Sequence, residues 1–143
     1  MQQQLYKDAI LCLMFAMADA DKTMNNDELV ECVTMKDIFS IYTEQQIVAL
    51  YSEYKKRFSD KGFNEIAQVF VPQIQPELYM AVLSFIADVA VIDFDVDIKE
   101  GSFISIVAHT MGISETAVKT ILLTSLSKKL LFNINETPAA GLN

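Results

Sequence analysis

Two stretches of this chain repeat one pattern at an offset of 72 residues. The first reads Ala18-Asp19-Ala20-Asp21-Lys22-Thr23-Met24-Asn25-Asn26-Asp27-Glu28, and the second Ala90-Val91-Ile92-Asp93-Phe94-Asp95-Val96-Asp97-Ile98-Lys99-Glu100. In each, an Asp (Asp21, Asp93) follows a long apolar segment. An apolar residue stands three places on (Met24, Val96), a capping Asn or Asp four places on (Asn25, Asp97), and a Glu seven places on (Glu28, Glu100). This is one helix–turn–helix unit used twice. Two such hairpins, packed about a pseudo-twofold axis, would build a single helical core.

Physical chemistry accounts for most of these residue types. The apolar loop residue folds inward and pins the turn. The N-cap side chain and the Glu three places after it satisfy backbone N–H groups that a new helix leaves without partners. Carboxylates at that end also gain from the helix dipole, about 0.3–1 kcal/mol each. The Asp seven places before the Glu has no such explanation, because the last turn of a helix disfavours an anion. Either it accepts hydrogen bonds from loop N–H groups or it faces a cation.

The remaining pattern is helical almost throughout. Leu5, Ile10, Leu13, Met14 and Met17 predict a first helix over about 3–20. Asn25 to Glu28 reads as a capping box opening a second, to about Phe39. Thr43-Glu44-Gln45-Gln46 repeats that signature and opens a third, with Ile47, Leu50, Tyr51, Tyr54 and Phe58 on one face and Gly62 as the break. A fourth carries Ile66, Val69 and Phe70 and stops at Pro72 and Pro76. The fifth starts at Gln75-Pro76 and runs to about Ile92; apolar nearly all round, it is expected to be central and buried. Asp97 to Glu100 opens a sixth that ends at Gly112, and Ser114 caps a seventh ending near Phe132. Val89 to Val96 alternates toward its end like a strand, but a lone strand has no partner, so the helical reading prevails.

With 143 residues, of which 52% are hydrophobic, the chain is expected to form one all-α domain over 1–132, followed by a tail at 133–143 containing Pro, Gly and small residues. The net charge of −8 makes it a poor partner for nucleic acid, whose phosphates need cations, and suits it to cations or basic protein surfaces. One His (His109) and two Cys (Cys12, Cys32) cannot assemble a zinc or haem site with several N or S ligands. Both Cys stand among apolar residues and are expected to be small buried groups in a reducing compartment. No uncharged apolar run reaches the roughly 18–20 residues of a membrane span. Lys7, the apolar run Ala9 to Met17 and Ala16 and Ala18 imitate a short signal peptide. Asp8 and the internal duplicate of this segment favour a folded helix in a cytoplasmic protein instead.

The paired Ala-x-x-Asp helix ends, each with an apolar loop residue and a Glu seven on, resemble the TerB (tellurite-resistance) family across residues 5–132. Met111-Gly112-Ile113-Ser114 is similar to that family's helix break after the second motif, whereas Lys22 and Phe94 stand where the family usually has Gly. The resemblance implies a compact seven-helix fold in two pseudo-twofold halves. It also implies an acidic cluster for a divalent cation, calcium or magnesium, at Asp21, Glu28, Asp93 and Glu100. Such hard cations take six or more oxygen ligands, so water would complete the shell. Asp19, Asp27, Asp95 and Asp97 would add charge at the rim. The implied function is a non-enzymatic module in tellurite or stress resistance that engages partner proteins.

Plainer readings stand beside this one. The two Glu residues can be capping-box members alone and the Asp residues solvated turn residues, which leaves a metal-free scaffold whose acidic face docks a basic partner. An EF-hand is ruled out: Asp93, Asp95 and Asp97 fit loop positions one, three and five, but Ile98 and Ile104 occupy the positions that need Gly and Glu. His109 is expected to be a partly buried structural residue. Lys55-Lys56-Arg57 and Lys128-Lys129 read as cations at helix C-termini, and Tyr42, Tyr51, Tyr54 and Tyr79 as the edge of the core. No phosphate-cradling loop and no nucleophile motif appears, so no catalytic residue is assigned.

Overall fold

Local signals within a few residues of one another set the helix boundaries. A computed structural model of the chain describes residues 2–20, 42–91 and 98–136. Six α-helices are described: α1 (Gln2–Asp19), α2 (Glu44–Phe58), α3 (Phe63–Phe70), α4 (Tyr79–Ala90), α5 (Ile98–Met111) and α6 (Glu115–Glu136). Short 3-10 turns at Val71–Gln73 and Pro76–Leu78 join α3 to α4. No strand occurs among the described residues. The fold is thus all-α, with six described helices rather than the seven expected; the helix expected from Asn25 to Phe39 lies outside the described residues.

The capping box read at Thr43 is present. Gln46 N–H donates to Thr43 Oγ1 at 3.1 Å, and Thr43 N–H donates to Gln46 Oε1 at 2.8 Å. From that start, Ile47, Tyr51, Tyr54 and Phe58 fall on one buried stripe, and Lys55, Lys56 and Arg57 occupy the last turn, where cations suit the carbonyl end. Gly62 opens α3 in an extended conformation. Pro72 and Pro76 then confine the chain to the two 3-10 turns, and the segments 63–73 and 76–90 meet at a bend of 113°. Ser114 Oγ caps α6 by accepting from Ala117 N–H at 3.2 Å.

The core is built around α1. Leu11, Leu13, Met14, Phe15 and Met17 are fully enclosed, and α2, α3, α4, α5 and the Val71–Gln73 turn all pack on this helix. The segment that imitates a signal peptide is therefore the most deeply buried helix described. The fifth expected helix, α4, is central, as its composition suggests. Val82, Leu83, Ile86 and Ala87 are buried against α1, α5 and α6, but Met80 is half exposed. An aromatic chain links the layers: Phe15 meets the Tyr51 and Tyr54 rings at 5.1 and 5.8 Å, Tyr54 stacks on Phe58 at 5.5 Å, and Phe58 meets Phe70 at 5.0 Å. Each such pair contributes about 0.5–1.5 kcal/mol beyond its burial.

The last helix differs from its expected form. It continues to Glu136, past the expected stop near Phe132, so Lys128 and Lys129 lie inside it and not at its end. Lys128 instead reaches across to Asp88 of α4 at 3.5 Å. Beyond Val118 the helix turns Leu123, Leu130 and Leu131 to solvent. His109 is exposed, not partly buried, in the last turn of α5. Cys12 is half-buried with a free thiol, and Cys32 lies outside the described residues.

Gly112 ends α5 with φ of +79°, a left-handed conformation that favours glycine. Its N–H donates to His109 O at 3.0 Å and the Ile113 N–H to Ala108 O at 2.8 Å, the paired bonds of a Schellman cap. A Cβ at this position would meet nothing within 4 Å, so the cost of adding one is purely conformational. Gly112→Ala is therefore expected to lower stability by about 1–2 kcal/mol in urea unfolding with an unchanged m-value.

Candidate functional site

In sequence, the duplicated pattern places its carboxylates just after α1 and α4 and at the start of α5. At the end of α1, Ala20 N–H donates to Met17 O at 3.2 Å and tightens the last turn. Asp19 stands on that turn, where the dipole disfavours a negative charge. Its compensation comes from α2: the Tyr51 hydroxyl donates to Asp19 Oδ1. Near the other end of α1, the Tyr42 hydroxyl donates to Asp8 Oδ1 in the same manner. The core-edge tyrosines thus tie two carboxylates of the central helix, a role that their spacing alone did not reveal.

These neighbours raise the tyrosine pKa values. Burial, then the bond to and charge of Asp19, push Tyr51 well above the usual phenol range. Burial and the Asp8 bond do the same for Tyr42, and burial followed by the Asp19 charge for Tyr54. Burial, reinforced by Asp8, pushes the Cys12 thiol up to about 12, so it has little thiolate character near neutrality.

Beside the Asp19–Tyr51 bond lies a cleft of about 610 Å3. Asp19 and Ala20 line it from α1, and Tyr51, Tyr54, Lys55 and Phe58 from α2. Lys61, then Phe63 and Ile66 of α3, and Lys99 of α5 complete the walls described here. Lys55 Nζ sits 4.5 Å over the Tyr51 ring, a cation–π contact that holds it at the rim. Lys61 lies 4.0 Å from Glu65, with both side chains exposed, and that pair is worth little in water.

The four carboxylates read from the sequence divide unequally. Glu100 has its backbone in the first turn of α5, while Asp21, Glu28 and Asp93 lie outside the described residues, as do Asp27, Asp95 and Asp97. Ala20 and Lys99, the residues directly before Asp21 and Glu100, line the same cleft. Asp19, expected at the rim of a cation cluster, is engaged by Tyr51. Among the described residues, no three His, Cys, Asp or Glu side chains gather in a group able to hold a metal ion. No single described helix is long and apolar enough to cross a membrane.

A tyrosine whose pKa is raised by folding stabilises the fold fully below its unfolded pKa of about 10, and that contribution is lost as pH climbs toward the folded value. Urea midpoints measured from pH 8 to 11.5 are accordingly expected to fall above about pH 10. Tyr51→Phe, which cannot titrate, is expected to flatten that fall while lowering stability at pH 8 by about 1 kcal/mol through the lost bond to Asp19.

The family model described as Tellurite resistance protein TerB matches residues 7–123. Comparison with curated proteins and with solved structures gave no match.

Proposed function

The chain belongs to the TerB family, and from that membership we propose a non-enzymatic helical module acting in tellurite or stress resistance in the cytoplasm. In this reading the module holds a divalent cation, calcium or magnesium, between its two acidic turns and engages partner proteins there. Asp21, Glu28, Asp93 and Glu100 are the ligands. All four offer hard carboxylate oxygens, the donor type that these cations take, and water supplies the remaining positions. The cation's chemical contribution is charge: it offsets part of the repulsion among the crowded carboxylates and lowers the negative charge of the face offered to a partner.

The observation carrying this reading is the shared cleft of Ala20 and Lys99, because Ala20 directly precedes Asp21 of the first acidic motif and Lys99 directly precedes Glu100 of the second. The packing of α1 on α4, the two helices that precede the duplicated turns, also fits two halves related by a pseudo-twofold axis. Asp19 stands at the rim, oriented by the Tyr51 hydroxyl that donates to its Oδ1. One divalent cation among four carboxylates leaves the face negative, so a partner surface at these turns would be basic with or without it.

A second reading is favoured by the Thr43–Gln46 box, where the same signature closes a helix end by hydrogen bonds between its own members. If Asn25–Glu28 and Asp97–Glu100 do only that, the chain is a metal-free scaffold whose acidic face docks a basic partner.

Titration of the full chain with calcium and then magnesium, followed by 15N NMR, separates the two. Shifts that saturate and centre on Asp21, Glu28, Asp93 and Glu100, and that vanish in Asp21→Asn/Asp93→Asn, are expected for the cation module. Diffuse or absent shifts, with the double variant still folded, would leave the scaffold.

A further inference from the structure

We propose that the outer face of α6 pairs two copies of this chain, antiparallel and about a twofold axis at Ser127. Thr120, Thr124, Ser127 and Leu131 follow one another at spacings of four, three and four, the seam of a coiled coil, and Leu123 and Leu130 flank it. The leucines stand well out of the fold: Leu123 is 64%, Leu130 48% and Leu131 59% exposed. Together with the threonines and Ser127 they border an open groove of about 410 Å3 along the helix.

The polar groups of this face are already prepared for loss of water. Thr124 Oγ1 donates to Thr120 O at 2.8 Å and Thr120 Oγ1 to Thr116 O at 3.1 Å, so each threonine spends its hydroxyl within the helix. Covering them leaves no donor without an acceptor, which is the usual cost of burying a hydroxyl. Lys128 is the one charged residue bordering the groove, and Asp88 of the same chain holds it at 3.5 Å.

The order of residues selects the occupant. Counted outward from Ser127, Leu123 and Leu131 stand four places away on either side, and Thr124 and Leu130 three. A contact made by the same surface on both molecules requires this inversion, because residue i meets j wherever j meets i. An antiparallel copy crossing at Ser127 sets Leu123 against the partner's Leu131 and the small Thr124 against the partner's Leu130. Ser127, small and exposed, lets the two backbones approach at the axis. Lys128 adjoins that axis, where two free ammonium groups would repel, and its bridge to Asp88 removes that conflict. An unrelated partner has no need of a face that reads alike in both directions. One helix pair is smaller than a permanent interface, so the pairing is reversible, with a dissociation constant on the order of 10–100 µM.

The test is sedimentation equilibrium of the full chain in EDTA, from about 5 to 500 µM, a range that brackets that constant. EDTA makes the outcome independent of whether the acidic turns take a cation. A monomer–dimer equilibrium is expected. Leu123→Glu and Leu131→Lys, both at exposed positions, are each expected to weaken it by about tenfold or more, because a charge then faces the partner's leucine. Mixing these two variants is expected to restore the dimer: the new carboxylate meets the new ammonium across the axis, and the other leucine pair is kept. Met80→Glu, at a half-exposed apolar site on α4, is expected to leave the equilibrium unchanged. A monomer throughout the range, association beyond the dimer, single variants that pair as the parent does, or a mixture that stays monomeric would overturn the proposal.

Discussion

Enclosing a helix on every side leaves no place within its span for a charge that water must solvate, and the rest of the structure follows from meeting that condition in α1. From Ala9 to Met17 the chain carries no charged residue, and four other helices close over it. The two carboxylates that border this run, Asp8 and Asp19, are the groups reached by tyrosine hydroxyls from outside the helix. Burying an anion without a partner costs far more than a hydrogen bond returns, so Tyr42 and Tyr51 are what allow charge to stand this close to the core. The aromatic chain from Phe15 through Tyr54 and Phe58 to Phe70 then fixes α2 and α3 in register on the same helix.

The parts of the fold legible in the sequence are those whose cause and effect lie within one turn of helix. Thr43 with Gln46, Gly112 with Ile113, Ser114 with Ala117 and Pro72 with Pro76 each mark a boundary through bonds or dihedral limits spanning at most five residues. What stayed hidden joins distant positions. The Tyr51–Asp19 and Tyr42–Asp8 bonds cross 32 and 34 residues, and no periodicity connects their ends. The same holds for Lys128 and Asp88, which is why Lys128 read as a helix terminus when it is a strut between two helices.

Of the candidate site, the sequence marked the neighbourhood and not the geometry. Ala20 and Lys99, neighbours of Asp21 and Glu100 in the duplicated motif, line one cleft, while Asp21, Glu28 and Asp93 lie outside the described residues. The lysines of that cleft were invisible as a group, since Lys55, Lys61 and Lys99 come from a helix end, a turn and a helix start separated by up to 44 residues of sequence. In a chain rich in acid, their convergence is a property of tertiary structure alone.

The proline-marked corner between α3 and α4 has a bearing on how such a chain finds its fold. Pro72 and Pro76 restrict the backbone before any packing exists, so the reversal through 113° is partly prepaid in the unfolded ensemble. Two neighbouring segments, each buried on one face, are thereby handed to the central helix as a preformed cradle. With that corner set, α3 and α4 can meet α1 together, at a lower loop-closure cost than two separate encounters.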